Sequence, residues 1–470
     1  MIGKYANGLG TLSPSPSGEG RGEDIKQVYL VGIGGIGMSG LARYFHKRGC
    51  QVVGYDRTRT DLTGALAEEG MRITYTDSVD EIPSEFKAPS ESVLVIFTPA
   101  IPKDSAILNY FKNEGFDLKK RSQVLGLISK EMFTVAVAGT HGKTTTSTMV
   151  AHILKHSGFD CTAFLGGIAS NYDTNVLFGL NNVMVVEADE YDRSFLTLHP
   201  DIAIITSMDA DHLDIYGDDA SVKESFKLFA SQLKEGGKLI HKRGLPLESG
   251  ISYSAKENAD VFAENVYIQN GTFFFDFNSS AVKIKNIELG LPGLHNVENS
   301  VGAIQAALIL GIEPDKIKAA LKEFRGVKRR FEYIIKTDRR VFIDDYAHHP
   351  EELRACITAV KSLYPDKKLT VLFQPHLYTR TRDFAGGFAE VLSMADELLL
   401  LEIYPARELP IEGVSSEMIL KNVKASSGRI CAMDEAPGLV QELNPELLLT
   451  VGAGDIDTLI QPLKNILSNA

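Results

Sequence analysis

The chain has 470 residues, 44% hydrophobic and 23% charged, with 49 Lys and Arg against 61 Asp and Glu for a net charge of −12. That length exceeds a single hydrophobic core and suits about three domains. The acidic balance excludes general nucleic-acid binding, which needs a basic surface to displace phosphate counterions, but not an anionic substrate met by a local cationic cluster.

The first 26 residues, with TLSPSPSGEGRGED among them, read as a disordered tail, lacking the basic start and apolar stretch of a signal peptide. Regular structure is expected from Gln27. Val28–Gly34 is a short apolar run ending in glycines. Met38, Leu41, Ala42 and Phe45 then recur at helical spacing, and Gln51–Asp56 forms a second strand. Ser92–Ile101 is a further strand broken by prolines. Phe133–Gly158 repeats the order of strand, glycine turn and helix, and Asn182–Glu190 and Asp201–Asp214 are strands running into acids. Gly271–Phe277 and Ala281–Leu289 alternate like a small antiparallel insertion, and Gly293–Ile312 has the apolar face of a helix. Val341–Pro350, Leu369–Asp383, Glu397–Glu408 and Glu446–Asp455 are four strand-like runs, each leading into a polar loop.

This alternation predicts an α/β fold with parallel sheets. Three domains are expected: a Rossmann-like N-terminal domain over 27–118, a central P-loop-type α/β domain over 119–331, and a Rossmann-like C-terminal domain over 332–470. Cys50, Cys161, Cys356 and Cys431 lie far apart with no Cys-x-x-Cys pair, which argues against a disulfide scaffold or zinc ribbon. No uncharged apolar run approaches the roughly 18 residues that span a bilayer. A cytoplasmic protein with no membrane partner is expected.

Two loops carry the phosphate chemistry. Gly32, Gly34 and Gly37 form G-x-G-x-x-G between a strand and a helix, with Asp56 at the end of the next strand. Such a turn brings backbone amides and a helix N-terminus to a diphosphate. Taken alone, it would also serve an NAD-dependent oxidoreductase. The second loop, Ala138–Thr146 (AGTHGKTTT), is the stronger signal. Gly142, Lys143 and Thr144 match the end of a P-loop, where amides cradle phosphates, the lysine reaches the terminal phosphoryl oxygens and the hydroxyl ligates magnesium. Val137 stands where the first glycine of that pattern belongs, so this is a variant loop.

Glu187 and Asp189 end one strand, and Asp209, Asp211, His212 and Asp214 follow another. In a parallel sheet they converge on the second loop, where Glu187 and His212 are the candidate metal ligands. Solvated loop acids and helix caps are the alternative for the others. His348 and His349 precede Pro350, Glu351 and Glu352, a helix start. Adjacent histidines do not share a helix face as i, i+4 zinc ligands would, so substrate contact by His348 stands beside a capping role. Arg380 and Arg382 suit a carboxylate or phosphate, or are merely solvated. His295, Asn296 and Asn299 begin a helix; an Asn amide reads the edge of adenine or caps the helix with equal warrant.

The order GIGGIGMSG, AGTHGKTTT, EADE, MDADHLD, GLHN, DDYAHHP and FQPHLYTRTRD, over about residues 27–460, resembles the Mur ligases. The first and last of these motifs favour the branch that adds L-alanine over those adding glutamate, a diamino acid or a peptide. The resemblance implies an ATP-dependent ligase, with Mg²⁺, that joins L-alanine to the lactyl carboxylate of UDP-N-acetylmuramate through an acyl phosphate in peptidoglycan precursor synthesis. A related ligase adding another amino acid or peptide is the alternative, and a nucleotide-gated regulator without turnover is a more distant one.

Residue by residue, the resemblance implies that Gly34, Gly35, Ile36 and Gly37 hold the UDP diphosphate. Gly139, Thr140, His141, Gly142, Lys143, Thr144 and Thr145 would hold the ATP phosphates, with His295, Asn296, Arg330 and Asp345 around adenosine. Thr144, Glu187 and His212 would bind metal. Lys143, His348 and Arg380 would act in catalysis, the last two facing the muramyl carboxylate and the amino acid. Several related ligases carry a carbamylated lysine on the helix where Lys223 and Lys227 fall, but the alanine-adding branch generally lacks it. Ligand groups on three units predict hinge closure, in a monomer or homodimer.

Overall fold

Val28–Val31 is apolar at every position, the pattern of a strand covered on both faces, and all four residues are buried. The computed structural model describes residues 25–209, 216, 218–256, 258–269, 271–406, 408–425 and 427–468. The expected tail therefore lies outside the described residues up to residue 24. β1 (Gln27–Val31), β2 (Gln51–Tyr55), β3 (Arg72–Thr74), β4 (Val93–Phe97) and β5 (Asp117–Lys120) form a parallel sheet ordered β3-β2-β1-β4-β5. Its helices are α1 (Ile36–Lys47), α2 (Asp61–Glu68), α3 (Ala106–Asn113) and α4 (Arg121–Glu131). β4 stops at Phe97, two residues before Pro99, whose missing N–H cannot continue a ladder.

A second sheet is built on β6 (Phe133–Ala138), β7 (Thr162–Ala169), β8 (Thr174–Leu177), β9 (Val183–Glu187), β10 (Ile202–Ile205), β11 (Lys238–Lys242) and β12 (Ile251–Ser254), ordered β12-β11-β10-β6-β9-β7-β8. β6 lies between β10 and β9, parallel to both, so the ends of all three open onto one edge. From that edge α5 (Lys143–His156) departs. Only β8 runs antiparallel to its neighbour here.

The chain forms two compact units, one running to Phe262 with Asn299–Ala320, the other holding Ala263–Glu298 and Leu321–Ala470. Both sheets above lie in the first unit and share one continuous core. α1 joins them. Of its expected apolar face Met38, Leu41 and Ala42 are buried, while Phe45 is only partly covered and Tyr44 is buried in addition. The reason is a second neighbour: Tyr44 packs on Phe164 of β7 with ring centroids 5.3 Å apart. Buried Asn175 also donates to the Ile36 carbonyl and to Ser39 Oγ, and accepts from Arg43 at 2.8 Å.

In the second unit β14 (Thr272–Ser279) and β15 (Lys283–Leu289) pair antiparallel, as the alternation predicts; β13 (Val261–Gln269) precedes them. A six-stranded sheet follows, with β16 (Glu332–Lys336), β17 (Val341–Asp345), β18 (Leu369–Phe373), β19 (Glu397–Leu401), β20 (Ser427–Cys431) and β21 (Leu447–Val451) ordered β16-β17-β21-β18-β19-β20. The four strand-like runs are β17, β18, β19 and β21. β16 and β20 are the two edges, and their mixed composition carries little strand signal. Among the described residues no helix is long and apolar enough to cross a membrane.

Candidate active site

In the first sheet the strand order reverses at β1, between β2 and β4, and the glycine loop leaves β1 at that switch point, where open α/β sheets bind ligands. Ile36 and Gly37 open α1, where helix amides have no intrahelical acceptor. The Asp56 carboxylate is turned back onto this loop and accepts the Gly34 N–H at 2.8 Å. It therefore shapes the turn. The Arg121 guanidinium from α4 lies against Gly37 and 3.5 Å from Asp189, bringing a cation to the loop that the spacing of motifs does not reveal.

The second loop joins β6 to α5. Gly142 caps α5 with φ +83, a left-handed turn that a side chain would strain, and it packs beneath Asn299. Thr140 and His141 are held by the end of β10. Thr140 Oγ1 lies 2.9 Å from Ser207 Oγ and accepts the Asp209 N–H, while the His141 N–H donates to Ser207 Oγ at 2.7 Å. His141 Nε2 lies 3.8 Å from Asp209. These side chains brace the loop and leave its backbone to frame a ligand. Thr144 and Thr145 occupy the first turn of α5, with Thr145 buried.

Lys143 Nζ donates to the Gly139 carbonyl at 2.7 Å and to Glu190 Oε1 at 2.8 Å, and it lies 2.7 Å from Oε2. Glu190 is 1% exposed. Burial pushes its carboxyl up, opposed by Lys143. Burial would lower the Lys143 ammonium, but Glu190, Glu187 and Asp189 together hold it above its ordinary value. Glu190 is the residue that sequence reasoning missed; it sits in EADE beside Glu187 and Asp189, and only the fold shows which of the three meets the lysine. Glu187, ending β9, sets its carboxylate against Gly166 of β7, where any Cβ would collide with it.

Thr144 and Glu187 thus stand on one sheet edge as a hydroxyl and a carboxylate, hard oxygen donors suited to Mg²⁺. His212, with Asp211 and Asp214, lies outside the described residues. Among those described, no three His, Cys, Asp or Glu side chains gather as a metal cluster. Lys223 pairs with Asp219, and Lys227 is exposed on the helix Asp219–Ser231.

In the second unit, the ends of β17 and β18 bring a further group together. Asp345 accepts the N–H groups of Phe331 and Ala347, each at 2.7 Å, and burial raises its carboxyl while Arg330 lowers it. Asp344 beside it bonds Thr450 at 2.6 Å and Arg329 at 3.2 Å, and burial moves it up to about 6. Arg329 and Arg330 each place a guanidinium 5.2 Å from the Tyr346 ring. His348 Nδ1 lies 3.0 Å from the Tyr346 carbonyl and 3.4 Å from Glu352. Burial depresses the imidazole, Glu352 raises it and Arg380 lowers it further.

Arg380 Nη1 comes within 3.4 Å of His376 Nδ1, and the His376 ring stacks on Tyr404. His349 instead caps the helix Pro350–Leu363, and Arg382 is paired with Asp383 at 2.7 Å on the surface. Arg330, Asp345, His348 and Arg380 are therefore neighbours, while the Arg382 guanidinium is engaged by Asp383. Asn296 is buried and returns its amide to the Pro292 carbonyl at 2.6 Å, a local cap-like bond. His295 lies against Gly293.

Two glycine loops at sheet edges, one with a half-buried lysine set on a buried acid, define an α/β enzyme that works on phosphorylated nucleotides. Three family models match the chain in order: Mur ligase family, catalytic domain (residues 27–132), Mur ligase middle domain (137–307), and Mur ligase, glutamate ligase domain (329–454). It is 50% identical to the UDP-N-acetylmuramate–L-alanine ligase of Cytophaga hutchinsonii, over 94% of this chain and 96% of that protein. The enzyme of the same name from Flavobacterium psychrophilum is 49% identical over 94% and 98%. A crystal structure of UDP-N-acetylmuramate–alanine ligase from Thermotoga maritima superposes with a TM-score of 0.80 at 29% identity, covering 94% of this chain and 99% of that one. The chain belongs to the Mur ligase family, whose fold places Rossmann-like domains on either side of a central ATP-binding domain.

Proposed function

We propose that this chain joins L-alanine to the lactyl carboxylate of UDP-N-acetylmuramate, with cleavage of ATP to ADP and phosphate. The observation that carries the reading is the loop of Lys143, set on one sheet edge with Glu187, in a chain half identical along nearly its whole length to a ligase of that name. The domain 27–118 would bind the UDP substrate, 119–331 would bind ATP, and 332–470 would bind the amino acid and part of the nucleotide.

The chemistry needs cations. A carboxylate must meet the terminal phosphate of ATP, and two unit charges about 4 Å apart repel by roughly 4 kcal/mol at an effective dielectric near 20. The amides of Gly139–Thr145 would hold the triphosphate, and Lys143 would offset charge on the phosphoryl oxygens as it transfers. Thr144 and Glu187 would hold one Mg²⁺ and His212 a second, for further positive charge there. Gly34, Gly35, Ile36 and Gly37 would take the UDP diphosphate, and His295, Asn296, Arg330 and Asp345 would surround adenosine.

A lactyl carboxylate oxygen attacks the terminal phosphorus and ADP leaves, giving an acyl phosphate. The alanine amine then attacks the acyl carbon, and the tetrahedral intermediate expels phosphate. That amine must be neutral, so a base is required. His348, whose imidazole burial shifts below the ordinary histidine value, would accept the proton, and Arg380 would hold a carboxylate.

Phosphate release, measured with ATP, Mg²⁺ and UDP-N-acetylmuramate against a panel of amino acids, tests the reading. Release should require all components and be fastest with L-alanine. Preference for another amino acid or a peptide would assign the chain to a different branch, and release indifferent to the amine would refute ligation.

A further inference from the structure

The donors of the Lys143 ammonium are already engaged. Its Nζ lies 2.7 Å from the Gly139 carbonyl, 2.8 and 2.7 Å from the two Glu190 oxygens, and 3.4 Å from the Thr140 carbonyl. An ammonium has three protons. To grip a phosphoryl oxygen, it must give up one of these partners.

We propose that Glu190 is a positioning residue for Lys143, holding the ammonium in a parked position from which an incoming triphosphate must take it. This rests on the reading of the Lys143 loop as the ATP site.

The surroundings show a carboxylate set in place by its backbone. The Glu190 carbonyl accepts the Arg193 N–H at 2.9 Å and the Tyr216 hydroxyl at 2.5 Å. Asp192 and Arg193, with φ of 47 and 60, are successive non-glycine residues in the left-handed region, a conformation that persists only where its surroundings impose it. Lys120 lies 3.7 Å from Asp192 and Arg121 3.5 Å from Asp189, tying the same loop to the start of α4. The turn aims a nearly fully buried acid at the lysine. Such a clamp holds the Lys143 ammonium against its own loop and opposes nucleotide binding, which favours release of ADP after each cycle.

The test uses the full chain with Mg²⁺ and a non-hydrolysable ATP analogue, measuring the dissociation constant of the wild type, Glu190→Gln, Lys143→Met and the double variant. Glu190→Gln should tighten binding about fivefold, and the gain should vanish in the Lys143→Met background. Glu190→Asp, which keeps the charge on a shorter arm, should shift binding in the same direction by less, and it serves if Glu190→Gln does not fold. A gain that persists without Lys143 would show simple charge repulsion and overturn the proposal. So would weaker or unchanged binding in Glu190→Gln or Glu190→Asp. A wild type that bound no analogue would overturn the ATP reading itself, a different result from a wild type that binds and variants that do not differ.

Discussion

At the scale of single residues, His348 carries the most specific expectation about pH. Burial lowers its imidazole below the ordinary histidine value, with Glu352 pulling the other way. A base works only when unprotonated, so the turnover rate should fall as pH drops through the depressed value, and the acidic limb should sit below that of an ordinary histidine. Removing the Glu352 charge takes away the raising influence. Glu352→Gln should therefore move the limb to still lower pH, which rate profiles at saturating substrates would show; a limb that stays or moves up would remove His348 from the role of base. The sign for stability agrees. A histidine depressed in the folded state favours folding above its unfolded value, and that contribution is lost as pH falls through the folded one.

Residue types were legible where one side chain implies one chemistry. Gly142, Lys143 and Thr144 in sequence point to a phosphate cradle, and the structure puts them at the cap and first turn of α5, just after β6. Glu190 was not legible. Three acids in four residues are chemically alike on paper, and choosing among them requires the order β6-β9 together with the left-handed pair Asp192 and Arg193. Asp56 could be placed from the sequence only at the end of the second strand; the structure turns its carboxylate onto the Gly34 amide.

At the scale of elements, β7 bears on the proposed metal ligand Glu187 through a glycine. Gly166 stands beside Glu187, and a Cβ there would occupy the space of the carboxylate. Gly166→Ala should turn Glu187 off its rotamer, a change of about 0.5–1.5 kcal/mol. The Mg²⁺ concentration for half-maximal rate should rise about tenfold, equivalent to ~1.4 kcal/mol, with the melting temperature lowered only slightly. An unchanged Mg²⁺ requirement in a folded variant would detach Glu187 from the metal. Long apolar runs made most strands legible, among them β1, β6, β9, β17 and β21. β3, β5, β7, β8, β11, β12, β13, β16 and β20 were not: glycines break β7, and β16 and β20 are half-exposed edges whose pairing depends on distant neighbours.

For the molecule as a whole, the alternation of strands and helices made the α/β class readable, since parallel strands need helical crossovers. The packing of the first two sheets into one unit was not readable. It depends on Tyr44 meeting Phe164 and on Asn175 reaching Ile36 and Ser39, contacts between residues more than a hundred positions apart. On the proposed function, the whole chain activates an acid with a nucleotide before an amine attacks it. Labelling both lactyl carboxylate oxygens of UDP-N-acetylmuramate with ¹⁸O and analysing the released phosphate by mass spectrometry tests this directly. One ¹⁸O per phosphate is the expected result, because the oxygen that attacked phosphorus departs with it when the amine displaces phosphate from the acyl carbon. Phosphate free of label, with amide formed, would contradict the acyl-phosphate route.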